Sequence, residues 1–287
     1  MATLNVAKIM LSELMAWRPR ERVPEPNLVM DDPTQVQAYL EAGSTRGALA
    51  PLYLFNTMIV SRLIRPGDLV LDLACGPANQ LSQLADVNPD ASFIGVDLSA
   101  EMLSKARGVA ASRGLLNIEF RVSDITKLVG FADQTVDMVI STLSLHHLPD
   151  QRALAAAFNE VNRVLKSNGR VYIADLGCLR SDRSVAEFAQ QYADQQPEIF
   201  NTDYLNSLRA AFKLADFREA IRPLGARVQL LSTLFVPYML VVKSPSRAPL
   251  ENARGERIKN IERGMSMQQR ADFKMLKLFF RLGGVTA

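Results

Sequence analysis

Two kinds of residue in this 287-residue chain stand where they could do chemistry. The first are acids that end or closely follow short apolar runs: Asp97 after 92–96, Asp124 after 117–122 and Ser123, and Asp175 after 170–174. A carboxylate only accepts hydrogen bonds, through two oxygens. Asp97 therefore suits the two hydroxyls of a ribose, and Asp124 suits an adenine amino group, with Ile125 covering the ring. The second kind is histidine. Both histidines of the chain, His146 and His147, fall in the stretch 143–150. An imidazole titrates near neutrality, so either could take a proton from a bound substrate. The plainer account is one packed, hydrogen-bonded histidine beside a partly exposed one. Asp175 either meets the substrate or caps the turn that follows it.

These residues act together only if a scaffold brings them to one place. Val70-Leu71-Asp72-Leu73-Ala74-Cys75-Gly76-Pro77-Ala78-Asn79-Gln80 reads as a strand, a tight turn of small residues and a helix start, which turns backbone N–H groups toward a ligand. After Pro66-Gly67-Asp68, strands expected at 69–74, 92–96, 117–122, 136–141 and 170–174 alternate with helices at 79–87, 99–112 and 152–165. That spacing implies right-handed crossovers and a parallel sheet. Strands at 227–231 and 234–242 are too close for a crossover helix, so they pair antiparallel. The expected fold class is α/β: a doubly wound, Rossmann-like, seven-stranded sheet ending in an antiparallel pair. Ligands bind such sheets beyond the carboxyl ends of the strands, near the switch in strand order, and the acids and histidines above all fall there.

Around this sheet the sequence expects helical additions. Residues 1–65 form an N-terminal cap, with helices at 3–16, 34–42 and 49–64 and a connector broken by Pro24, Pro26 and Pro33; Asp32 caps the second helix, with Pro33 in its first turn. The sheet domain spans 66–244, and helices at 182–195 and 203–222 make a lid insertion over 180–222. Residues 245–287 form a basic tail. If 270–282 is helical, Arg270, Lys274, Lys277 and Arg281 make one stripe. Phe273, Met275, Leu276, Leu278, Phe279, Phe280 and Leu282 fill most of the remainder. Such a face suits an anionic membrane surface, its own domain, or a second copy in a homodimer.

Composition narrows the classes further. A hydrophobic content of 48% with 22% charged residues is that of a folded globular chain. Two cysteines, Cys75 and Cys178, make no disulfide framework, and two histidines give no cluster with metal-ligand spacing, so no metal is expected. No run reaches the roughly 20 apolar residues of a membrane span. The segment 4–17 lacks the leading positive charge of a signal peptide. A reduced, cytoplasmic setting is expected, with peripheral membrane contact through the tail. From Pro245 onward nine Lys/Arg face four Asp/Glu, leaving 24 basic against 26 acidic residues elsewhere. A main body whose net charge is slightly negative lacks the positive face of a protein that grips DNA.

Asp72-x-Ala74-x-Gly76-x-Ala78, Gly95-Val96-Asp97-Leu98-Ser99, Ser123-Asp124 and Val136-Asp137-Met138-Val139 together resemble the successive motifs of class I S-adenosylmethionine-dependent methyltransferases, over about 69–243. The resemblance implies S-adenosylmethionine as cofactor and a methyltransferase activity. It implies that Asp72 orients the cofactor's amino-acid end, partly through water, and that Ala74, Cys75 and Gly76 let the backbone approach it. Asp97 would bind the ribose, Leu98 pack on the adenine, Asp124 and Ile125 hold its edge and face, and Ser141 to Leu143 lie near the methionine part. Ala74 and Ala78 stand where the commonest motif has glycine, and a methyl there disfavours positive φ. A nicotinamide-binding Rossmann protein would want G-x-G-x-x-G, and Gly76 is the only glycine of this turn.

Base-modifying amino methyltransferases usually carry Asn/Asp-Pro-Pro-aromatic after the fourth strand. Ser141-Thr142-Leu143-Ser144 stands there instead, against DNA adenine or glutamine-amide methylation. Tyr39, Tyr53, Phe55, Phe188, Tyr192, Phe200 and Tyr204 in the cap and lid suggest a small, partly hydrophobic acceptor, as does the similarity to quinone- and natural-product-modifying methyltransferases. His147 or His146 is the candidate base, and Arg46 a candidate partner for the cofactor's carboxylate. The alternatives are an RNA- or protein-directed methyltransferase gripping through the basic tail, and a catalytically silent binding or scaffold subunit.

Overall fold

The computed structural model describes residues 6–18, 20–191, 193, 196–246 and 250–285. Three helices precede the sheet: α1 (Val6–Met15), α2 (Pro33–Ala42) and α3 (Ala50–Val60). The Asp32 side chain accepts from the backbone N–H of Thr34 and Gln35, with Pro33 opening α2, which satisfies donors a helix start leaves unpaired. Nearly every residue of α3 is buried, so it is an internal helix rather than a surface cap.

The central unit runs β1 (Leu69–Leu73), α4 (Asn79–Val87), β2 (Ser92–Asp97), α5 (Ala100–Ser112), β3 (Ile118–Val122), β4 (Val136–Thr142), a one-turn 3-10 helix (Leu145–His147), α6 (Gln151–Val164) and β5 (Leu165–Leu176). Ser99 caps α5 and Asp150 caps α6. After β5 come α7 (Asp182–Ala189), α8 (Glu198–Ala210) and α9 (Leu214–Ala220), followed by β6 (Gln229–Ser232) and β7 (Met239–Lys243). Strand order is β3-β2-β1-β4-β5-β7-β6; β7 is antiparallel to both β5 and β6, and the other pairs are parallel. The chain leaves β1 toward β2 on one side and reaches β4 on the other. The switch in strand order therefore lies between β1 and β4, with the turn after Leu73 directly above it.

Several boundaries differ from the sequence expectation: β5 begins at Leu165 rather than 170, and α3 ends at Val60 rather than 64. The helix expected over 203–222 is two helices, because Phe212 is fully buried and Gly177 forms a bridge with it, breaking the helical path; α9 then restarts with the Asp216 carboxylate on the Lys213 N–H. The last strand begins at Met239 rather than at 234. The Thr233 hydroxyl donates to the Val236 carbonyl and accepts from the Met239 N–H, closing a tight turn that contains Pro237. The helix expected over 182–195 ends at Ala189, and Tyr192 lies outside the described residues.

The tail is two helices, α10 (Asn252–Gly264) and α11 (Met267–Leu282); the polar α10 has little apolar periodicity to announce it. Arg254, buried on α10, donates to the carbonyls of Ile64 (2.8 Å) and Ser61 (3.4 Å), just past the end of α3. Phe273 and Phe280 of α11 are buried, and Phe280 stacks on Phe55 of α3 with ring centroids 4.4 Å apart. Phe273 and Phe280 thus pack on the chain itself, while Leu278 and Leu282 of the same helix stay exposed. No described helix is long and apolar enough to cross a membrane.

Candidate active site

The turn after β1 is held in an uncommon backbone conformation: Ala74, Gly76 and Ala78 have φ of 52°, 54° and 59°. Two of its N–H groups bond to the end of the neighbouring strand, β2. Cys75 donates to the Val96 carbonyl (2.9 Å) and Gly76 to Asp97 Oδ2 (2.8 Å), while Asp97 Oδ1 accepts from the Ser99 N–H (2.9 Å). The end of β2 and the turn are one hydrogen-bonded unit. Gly95 lets them come this close, since a Cβ there would lie 2.8 Å from both Cys75 Sγ and Leu81 Cδ2.

Above this unit lies a cavity of about 220 Å³. Its walls are the carboxyl ends of β1 to β4, and they include Asp72, Ala74, Cys75, Gly76, Asp97, Leu98, Asp124 and Ile125. Burial, then the neighbouring Asp97, pushes the Asp72 carboxyl well above its usual range. Burial also raises Asp97, against hydrogen bonds from the backbone of Ser99, Gly76 and Leu98. At Asp124 burial works against the charge, but hydrogen bonds from Thr126 and the pairing with Lys127 outweigh it, and its pKa is lowered. The cavity thus presents carboxylates whose ionisation a cationic ligand would favour.

A second cavity of about 100 Å³ adjoins the first, and Met30, Tyr39, Leu143 and His147 line both. Its outer walls carry Leu49, Leu52, Phe200, Tyr204, Tyr238 and Leu276. The hydroxyls of Tyr204 and Tyr238 lie 2.6 Å apart, and Phe188 stacks on Tyr238. At the junction, Asp175 at the end of β5 holds the 3-10 turn: His146 Nδ1 meets Asp175 Oδ1 at 2.6 Å, and the His146 N–H donates to Oδ2 at 3.2 Å. The His147 ring lies 4.6 Å from that of His146, between centroids. Burial, then His146, lowers its pKa to about 3, so it is uncharged at neutral pH.

The connector between α1 and α2 covers both cavities. Proline at 24 and 26 keeps it extended, and its side chains tie it down. The Arg22 guanidinium lies 3.9 Å over the Phe212 ring and donates to the carbonyls of Ala210 (2.6 Å), Pro149 (2.7 Å), His146 (2.9 Å) and Leu148. At the far end the Ser99 hydroxyl donates to Asp31. Between these clasps Leu28, Val29 and Met30 line the larger cavity. Glu25 comes within hydrogen-bonding reach of Ser207 (2.8 Å) and approaches both histidines.

The sequence-derived residues are distributed unevenly around this site. Asp72, Ala74, Cys75, Gly76, Asp97, Leu98, Asp124 and Ile125 share the larger cavity, and His147 lies where it meets the smaller one. Ser141 does not reach the wall. It is buried beneath it, donating to the Leu73 carbonyl (2.9 Å) and paired with Ser144 (2.6 Å), and Thr142, Leu143 and Ser144 form the wall instead. Arg46 is exposed and lies off both cavities. Phe55 belongs to the core under the tail. Spacing along the chain shows no metal-ligand cluster, yet the fold gathers Glu25, His146 and His147; Glu25 and His146 are 121 positions apart, which hides that grouping. The covering role of 20–32 was also unforeseen, since prolines and scattered charges read as an ordinary connector.

Residues 64–219, more than half the chain, match the family described as a methyltransferase domain. The chain belongs to the class I S-adenosylmethionine-dependent methyltransferases. Like the family, it is built for S-adenosylmethionine as cofactor. It is 39% identical over 112 residues to the arsenite methyltransferase of Halobacterium salinarum, covering 39% of this chain and 28% of that protein. It is 31% identical over 140 residues to a phosphoethanolamine N-methyltransferase of Triticum aestivum, covering 49% and 26%. A ubiquinone/menaquinone biosynthesis C-methyltransferase of Bdellovibrio bacteriovorus is 27% identical over 155 residues, covering 54% and 64%. The chain therefore spans less than two thirds of these relatives' lengths. The methyltransferase fold is also that of a S-adenosylmethionine-dependent methyltransferase structure from Aquifex aeolicus, with a TM-score of 0.53, 19% identity, and coverage of 75% of this chain and 98% of that one.

Proposed function

We propose that this protein transfers the methyl group of S-adenosylmethionine to a small, partly hydrophobic acceptor. The observation that carries this is the pair of adjoining cavities, one acidic and one aromatic, joined at Met30, Tyr39, Leu143 and His147. The larger one fits the cofactor. Asp72, disfavoured as an anion by its burial, is stabilised by an ammonium group beside it; Asp97 retains accepting capacity for ribose hydroxyls beyond its bonds from the backbone of Ser99, Gly76 and Leu98, and Leu98 and Ile125 offer apolar faces to a base. The smaller cavity holds the acceptor.

The cofactor supplies an electrophilic methyl carbon on a sulfonium, so the protein mainly positions the reactants and excludes water. Leu28 to Met30 close the site from above, and the Tyr39 ring between the two cavities suits a nearby cation. Asp175 fixes the His146 ring. His147, uncharged at neutral pH, offers a lone pair to the acceptor end of the junction; its depressed pKa makes it a weak proton store, which favours a role in orienting the acceptor over one in holding its proton. The tail's apolar packing on α3 supports a place for it in the body of the enzyme rather than in gripping a macromolecule. The supporting setting is cytoplasmic.

The test is calorimetric. Asp97→Ala should weaken S-adenosylmethionine binding at least about 100-fold, the loss of two charge-assisted hydrogen bonds, while circular dichroism shows the fold intact. Unchanged affinity would place the cofactor elsewhere.

A further inference from the structure

Glu25, His146 and His147 come from two distant parts of the chain. A carboxylate oxygen and one nitrogen from each ring lie within 4.8 Å of one another, the one such group of three potential ligands among the described residues. Two imidazoles and a carboxylate are a donor set for zinc and neighbouring divalent first-row ions. The surroundings of the two rings point the same way. A metal-binding histidine commonly donates its other ring N–H to a carboxylate or a backbone carbonyl, which fixes the tautomer and leaves the remaining nitrogen for the ion. Here the His146 ring is bonded to Asp175 through Nδ1 at 2.6 Å, and the His147 ring is bonded to the backbone of Asn27. Each ring therefore has one nitrogen occupied by a group of that kind and one left over.

Glu25 and Asp175 flank the histidine pair, and the guanidinium of Arg22, on the same connector as Glu25, gives its hydrogen bonds to the carbonyls of Ala210, Pro149, His146 and Leu148. His147 opens on both cavities and His146 on the smaller one. Three protein ligands leave coordination positions free on that side, as in catalytic rather than structural metal sites.

We propose that Glu25, His146 and His147 form a binding site for one divalent transition-metal ion, zinc or a neighbour, at the acceptor end of the junction between the two cavities. Its part in catalysis rests on the acceptor placement proposed above; the existence of the site does not. A bound ion would hold the acceptor's heteroatom and lower its pKa, so that the proton leaves to water. The heteroatom's lone pair then forms the bond to the methyl carbon as the carbon–sulfur pair returns to sulfur.

Cobalt(II) is the probe, because its visible absorption reports low-coordinate nitrogen and oxygen ligation without reference to activity. The chelator-treated full-length protein should take up one equivalent of cobalt with a visible band that zinc displaces. His147→Ala should abolish the band, and Asp175→Asn should weaken uptake roughly 10- to 100-fold, the usual effect of removing a carboxylate behind a ligand histidine. Glu25→Gln, which keeps size and polarity, should weaken uptake while S-adenosylmethionine binds as in the parent. No band at stoichiometric cobalt, or a Glu25→Gln variant that titrates like the parent, overturns the site. Loss of cofactor binding in the parent with cobalt uptake intact would instead overturn the methyltransferase reading alone.

Discussion

Ala74, Ala78 and Leu143 carry L side chains at φ of 52°, 59° and 53°, a region that costs a non-glycine residue about 1–2 kcal/mol. Ala74 and Leu143 follow β1 and β4 directly and line the larger cavity, and Ala78 is the residue before α4 in the same turn; strain of this kind tends to be kept at functional sites. Ala74 is only partly buried, so removing its methyl forfeits little packing. Ala74→Gly should therefore raise stability by about 0.5–1 kcal/mol, visible as a higher melting temperature in differential scanning calorimetry. Asp72 gives a prediction with a sign. Its pKa in the free protein is raised by burial and by Asp97, and a bound ammonium would lower it. Between the two values the carboxyl is protonated when free and ionised in the complex. Cofactor binding should release a proton, and affinity should fall as pH drops through that window, from the raised free-state value downward, levelling below the bound-state value; titration calorimetry in buffers of different ionisation enthalpy measures both. Equal heats in all buffers would separate Asp72 from the cofactor's cation. At this scale the acids at strand ends were legible because a strand's last residue is fixed by the strand itself. Glu25 was not, since nothing local marks a glutamate on an extended segment as facing two histidines.

Among the elements, the connector over 20–32 forms a strap across the cavities, with Leu28, Val29 and Met30 in their lining. It has no hydrogen-bonded secondary structure of its own and is held by Arg22 at one end and Asp31 at the other. Arg22→Ala removes several bonds from a charged donor, each worth about 1.5–3 kcal/mol, and the contact with Phe212. The expected result is faster amide exchange across 20–32 and a faster cofactor off-rate in stopped flow, with exchange in the sheet unchanged. The strap also explains why the C-terminal end of α8 stops at Ala210: carbonyls of Leu208, Arg209 and Ala210 accept from Arg20 and Arg22 instead of from a further helical turn. Element positions followed hydrophobic periodicity well where that was strong, as in α4 to α6. They shifted where a single tertiary contact decided the end, as at Phe212 and at the Thr233 turn.

The whole molecule is a methyltransferase sheet whose front is closed by an N-terminal strap and whose back helix, α3, is covered by the C-terminal tail. Phe280 is fully buried against Phe55, so Phe280→Ala should cost about 3–5 kcal/mol, read as a drop in the chemical denaturation midpoint. A surface-bound tail would lose almost nothing. Local periodicity, loop length and motifs within a few residues were enough to place the alternating strands and helices of the sheet, its antiparallel ending and the small-residue turn that lines the larger cavity. The tertiary structure alone decided that the basic tail packs on its own α3, that a proline-broken connector becomes the cover of the site, and that Glu25 meets His146 and His147. Those outcomes depend on which apolar faces and which unpaired carbonyls are left once the sheet has formed, and that is a property of the packed chain rather than of any stretch within it.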